Sequence, residues 1–189
     1  KSEWVAVCAA MRGDMEMMEY VTDEGGYPIT SSDVAVSIAA REDMDMMEYV
    51  TDKGYPTTNP RVAREAAKNG DLDMLMYVTD KGYPTTHPTV AVWAARNGDL
   101  DMVMYVTDRG YHTHPRVAYE AAKKGDLDML MYVTDQGYPR TNTGVWRFAQ
   151  KHRPTWVDYL SRKGYRKPDD DDLEPCSWGM ESESDYWVG

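Results

Sequence analysis

Imidazoles and carboxylates are the residues most able to do chemistry in this chain. His112 and His114 stand two positions apart, and His87 precedes His114 by 27. If the chain repeats at about that interval, these imidazoles line neighbouring loop tips, where zinc is the ion they could hold. A closed zinc site takes three or four convergent ligands, yet the matching positions on either side are Asn59 and Asn142. Short polar side chains just before a helix commonly accept its exposed amides, so capping is the plainer role. The paired carboxylates Asp71 and Asp73 recur in the other clear copies and gather in no single pocket of groups with divergent acidity. The residues therefore predict neither a catalytic constellation nor a cofactor or metal site, and the chain reads as non-enzymatic.

Charge and composition narrow the partners. The 189 residues carry a formal net charge of −11, the wrong sign overall for a surface that neutralises phosphates, which argues against nucleic acid. No apolar run approaches the roughly 20 residues that cross a bilayer, and the opening KSEWVAVCAAMRGD lacks the pattern of a secretory signal. Sparse cysteine, Cys8 and Cys176 only, fits a reducing, intracellular setting. Cys8 lies in the apolar run VAVCAA and is expected to be buried as a small hydrophobe. Lys1 opens inside a repeat, as a fragment or a processed product would.

The elements that position these residues come from a repeat. Gly13, Glu42, Gly70, Gly98 and Gly125 each begin a copy of a segment such as GDLDMLMYVTDKGYP, with the first aspartates at Asp14, Asp43, Asp71, Asp99 and Asp126. A worn sixth copy aligns Tyr159 and Gly164 with Tyr132 and Gly137. Within one unit Leu72, Leu75 and Val78 recur at helical spacing behind Asp71 as N-cap, and Gly82 stops the helix. Ahead of it, Asn59 and Pro60 open another helix through Val62, Ala63, Ala66 and Ala67, ending at Gly70. Helices this short need neighbours, so the units must stack, with the sixth copy, bearing Trp146, Phe148 and Trp156, as the C-terminal cap.

The segment AAKNGDLDMLMYVTDKGYP resembles the ankyrin repeat family, on Ala66, Ala67, Gly70, Leu72, Asp73, Met74, Leu75 and Gly82, and again on Ala94, Ala95, Gly98, Leu100, Asp101, Met102, Val103 and Gly110. It departs from the common pattern in lacking a TPLH tetrapeptide and in having a unit of about 28 rather than ~33 residues. The resemblance implies an all-α solenoid of about six stacked helix-turn-helix repeats over residues 1–165, with residues 154–165 inside the capping repeat and little or no β-hairpin. It also implies a protein partner, bound through the concave helix face and loop tips. The compact unit is similar to shortened arrays of large DNA viruses of amoebae and of some protists; a viral source implies the host-cell cytoplasm or the virion as location and structural assembly as a second role.

Contact candidates follow. Thr57, Thr58, Thr85, Thr86, His87, His112 and Thr113 occupy the loop tips, with Arg61, Arg116 and Arg140 beside them. Met76, Met104 and Met131 either fill core or form an exposed apolar stripe, core filling being the plainer expectation. Tyr27, Tyr55, Tyr83, Tyr111, Tyr138 and Tyr165, following the helix-stopping glycines, are expected to pack beneath the loops and stitch units together. Residues 166–189 form an acidic tail that breaks the pattern. Its Trp178, Tyr186 and Trp187 suggest docking on the last repeats or on a neighbouring molecule, including self-association.

Overall fold

Each Asp N-cap takes extended backbone and its carboxylate accepts the amide three residues on, from Asp43 to Met46 at 3.0 Å and from Asp71, Asp99 and Asp126 to Met74, Met102 and Met129 at 2.9 Å. That bond satisfies one orphan donor and sets negative charge against the helix dipole. At the other end the chain must turn with positive φ, and Gly70 (φ 81°) does so without a Cβ penalty. In the second copy Glu42 adopts the same turn at φ 62°.

The computed structural model describes residues 2–111 and 113–168. Its twelve α-helices alternate as first and second helices of six units: α1 Trp4–Arg12, α2 Met15–Glu19, α3 Asp33–Ala39, α4 Met44–Asp52, α5 Arg61–Asn69, α6 Leu72–Asp80, α7 Val90–Asn97, α8 Leu100–Asp108, α9 Arg116–Lys124, α10 Leu127–Asp135, α11 Thr143–His152 and α12 Val157–Arg162. No strand occurs among the described residues. In the first unit the extra residue before Tyr27 is absorbed by a π-helical segment, Tyr20–Glu24, closed by the Gly25 amide on the Tyr20 carbonyl at 2.6 Å.

Successive odd-numbered helices pack directly on one another, whereas successive even-numbered helices touch at most weakly. The alanine pairs explain the asymmetry: Ala66, Ala67, Ala94, Ala95, Ala121 and Ala122 are completely buried and bring the first helices close. The array therefore bends toward them, and their outward faces line the inner, concave side. Between the layers Met74, Leu75 and Val78, with their counterparts in α4, α8 and α10, fill the core.

Three polar ladders join consecutive units. Tyr111, Tyr138 and Tyr165 are buried, and their hydroxyls meet Thr79, Thr107 and Thr134 of the preceding unit at 2.6, 2.9 and 2.6 Å. Each of those threonines donates to the carbonyl four residues back, so the tyrosine is the donor across the boundary. The tyrosines thus stitch the units as the spacing predicts. A second ladder went unread in the sequence: Asn69 and Asn97 donate to the Ala39 and Ala67 carbonyls at 3.2 and 2.8 Å, capping the previous first helix from the next unit. A Cβ at Gly70 would meet Asn97 Nδ2 at 3.3 Å. The third is ionic and exposed, pairing Lys53 with Asp23, Lys81 with Asp52, Arg109 with Asp80 and Lys163 with Asp135.

Two expectations are corrected. Cys8 is exposed, because the turn of α1 carries Ala6, Val7, Ala9 and Ala10 into the stack and leaves the thiol outside. Met76, Met104 and Met131 are surface residues, 39%, 40% and 41% exposed, since the helical period buries the positions two and one before them and two after, and turns these outward.

The turn at Glu42 and the tyrosine ladder give a paired test of stacking. Glu42→Gly is expected to raise stability by roughly 0.5–1 kcal/mol by relieving the left-handed backbone. Tyr111→Phe should lower it by about 1 kcal/mol, the net value of the lost hydrogen bond. Urea midpoints with unchanged slopes would verify both signs.

Candidate functional site

The loop preceding each first helix is held by a side chain that caps it. Asn59 Oδ1 accepts the Arg61 amide at 3.0 Å and Asn142 Oδ1 the Gly144 amide at 2.9 Å. His87 and His114 do the same with Nδ1, taking the Thr89 and Arg116 amides at 3.3 and 3.1 Å. An accepting Nδ1 places any proton of the neutral ring on Nε2. Capping thus occupies the imidazole nitrogens that zinc would need. No cluster of His, Cys, Asp or Glu suited to a metal exists among the described residues, and His112 lies outside them.

On this frame Thr58, Thr86 and Thr113 are exposed at successive tips, with Thr57 and Thr85 half-buried beside them. Arg116 Nε donates to Glu120 Oε1 at 3.0 Å, and that carboxylate is itself buried. Arg140 lies apart from the tips, its guanidinium donating to the Lys163 and Thr134 carbonyls at 2.6 and 3.0 Å, which clamps the final unit. Met76, Met104 and Met131 sit on the outer layer, away from the threonines. Two surfaces therefore emerge from the predicted residues: tips continuous with the inner face, and a methionine row on α6, α8 and α10.

The inner face has a composition that net charge conceals. The first helices carry ten Lys and Arg against three carboxylates, Asp33, Glu65 and Glu120. The second helices with their π and 3₁₀ segments carry fourteen Asp and Glu against Arg162 alone. A groove of about 400 Å³ on the inner side spans the first three units, lined by Met11, Ser37, Arg61, Arg64, Glu65 and Lys68 among others. Arg61 Nε is buried there without a hydrogen-bond partner. Further along, Lys68 Nζ and the Arg96 guanidinium lie 5.8 and 4.8 Å from the centre of the Trp93 ring. Arg64, Trp93 and Arg96 escaped attention in the sequence because each is unique to its repeat, and Lys68 because its counterpart Lys123 reads as an ordinary helix-end charge; aligning the copies and asking which first-helix positions vary would have found them.

The fold and this two-sided surface define a helical solenoid of ankyrin type. Among solved structures, the chain is similar to the ankyrin repeat domain of Bcl-3, described as a unique member of the IkappaB protein family, with a TM-score of 0.63 and 12% identity over 86% of each chain. No family model matches the chain, and no curated protein matches it in sequence.

His87 makes the array sensitive to acid. Burial, then the nearby Arg64 and Arg61 charges, lower its pKa to about 4 from an ordinary 6.5. The unfolded chain binds that proton more readily, so the stability contributed by neutral His87 is complete above about pH 6.5 and is lost as pH falls toward 4. His87→Asn, the cap used by two sister repeats, is expected to flatten this part of the pH dependence of the thermal midpoint; parallel curves for the two proteins would refute the assignment.

Proposed function

We propose that this chain is a non-catalytic scaffold that binds a partner protein through the inner helix face and the loop tips around Thr57, Thr58, Thr85, Thr86 and Thr113. One observation carries the reading. Positions with the same residue type in unit after unit, such as Met74, Met102 and Met129, are buried, while an inner-side position that stays accessible runs through Met11, Ala40, Lys68, Arg96 and Lys123. Uniform packing positions and variable outward ones allow a rigid scaffold to present a specific surface without strain. Arg61 and Arg116 stand at the junction of tips and inner face and belong to this surface. The similarity to a Bcl-3 domain supports the fold on which the reading rests.

A second contact is favoured by the methionine row. Met76, Met104 and Met131 expose flexible apolar side chains on consecutive units, a surface suited to an adaptable partner or to assembly into a larger body. The roughly 28-residue unit and Gly-Tyr-Pro stops support a place among shortened arrays of large DNA viruses of amoebae, with a cytoplasmic or virion-associated life in the host cell. Such an assembly would use the outer layer and leave the inner face free for the first partner.

Affinity capture from the native source separates these surfaces. A Thr85→Ala/Thr86→Ala variant is expected to weaken capture of the principal partner by about tenfold, the effect of losing roughly 1.4 kcal/mol. A Met76→Glu/Met104→Glu/Met131→Glu variant should retain that partner and lose any assembly contact. Equal capture by all three proteins would show that neither surface binds.

A further inference from the structure

The basic inner face calls for an acidic occupant, and the chain ends in one. Residues 169–189 contain eight carboxylates, Asp169 to Asp172, Glu174, Glu181, Glu183 and Asp185, and no Lys or Arg. They lie outside the described residues. The first helices, with ten cations to three carboxylates, present the complementary charge. Some of those cations have partners on the same face: Arg64 and Lys68 share Glu65, at 3.0 and 3.8 Å, and Arg116 pairs with Glu120. The cation excess remains after this internal pairing, and it is the excess that attracts a polyanion.

We propose that the acidic segment 169–185 docks in cis along the inner face, from Arg147 toward the groove at Arg61, Arg64 and Lys68, and so competes with the partner of the scaffold. This rests on the inner face being the binding surface. Reach permits it. Beyond Tyr165 the Arg166 amide donates to the Arg140 carbonyl at 3.1 Å, so the chain leaves the last unit beside the loop that opens α11, a first helix. The seventeen residues of the segment span up to ~60 Å when extended, against roughly 30 Å for the three helix-to-helix steps of about 10 Å from α11 to α5. Tethering also raises the local concentration of the segment to the order of millimolar. Its aromatics suit the face as well, since Trp178 can stack on guanidinium groups such as Arg96. A nucleic acid strand would meet the same cations, but it would have to compete with eight carboxylates tethered to the same chain.

The full chain provides its own probe. With Cys8→Ser, a nitroxide on Cys176 labels the segment alone. The expected result is paramagnetic broadening of inner-face amides such as those of Arg64, Trp93 and Lys123, with Asp73 and Met104 on the outer layer sharp, and loss of the broadening in 1 M salt, where the screening length falls to about 3 Å. Changing Asp169, Asp170, Asp171 and Asp172 to Asn should abolish it without touching the solenoid. Broadening of the outer layer, or none, overturns the proposal. So does broadening seen only when labelled and unlabelled copies are mixed, which would make a second molecule the occupant. None of these readouts needs the partner protein, so a scaffold that binds its partner yet shows no broadening would fail here alone.

Discussion

Helices of five to ten residues gain too little from their own hydrogen bonds to persist in water, and six pairs of them survive here because each buries an alanine face against the next. That close approach is one-sided. The first helices, α1, α3, α5, α7, α9 and α11, touch in succession, and the second helices stand apart. Curvature, the position of the inner groove and the crowding of inner-face side chains all follow from it. Replace the alanines with larger residues and the helices separate, the array straightens, and the charges that now sum across neighbouring units are diluted.

The outer layer tolerates its spacing because polar bonds reach across the gaps. The hydroxyls of the buried tyrosines bridge consecutive units there, while the asparagine amides of α5 and α7 join the first helices. Hydrogen bonds of this kind contribute about 1 kcal/mol each and fix register as well as distance. The exposed ion pairs add little energy in high dielectric, but their regular direction, cation after the second helix to aspartate in the preceding unit, disfavours a slipped stack. One rung is missing: Gln136 stands where the cation to face Asp108 would be.

How much of this was legible in the residues depends on the kind of signal. Helical spacing of Leu72, Leu75 and Val78, the aspartate caps and the glycine stops announce the repeat and its order directly, because each acts locally. The outward turn of Met76 was less clear, since an apolar residue one place past the buried stripe satisfies either reading until the neighbours' positions are known. Cys8 misled for a related reason: an apolar run suggests burial, but a helix in an array has a side that faces no unit. The asparagine ladder depends on contacts about 30 residues apart and leaves no local pattern. The loop-tip threonines were legible as positions, and the histidines beside them proved to be caps.

Charge shows why a sum over the chain is a weak guide to its surfaces. A net −11 argues against polyanions only if the charges are mixed, and here they are sorted by layer. The sorting has a local origin. Aspartate is favoured at each second-helix start, where it caps and meets the positive dipole end, while Lys and Arg in the last turn of the first helices face the negative end. Requirements of individual helix ends, each met in five of the six units and aligned by stacking, thus build an acidic outer wall and a basic inner one. A surface field made in this way extends over several units, and its sign on the inner side is opposite to that of the molecule as a whole.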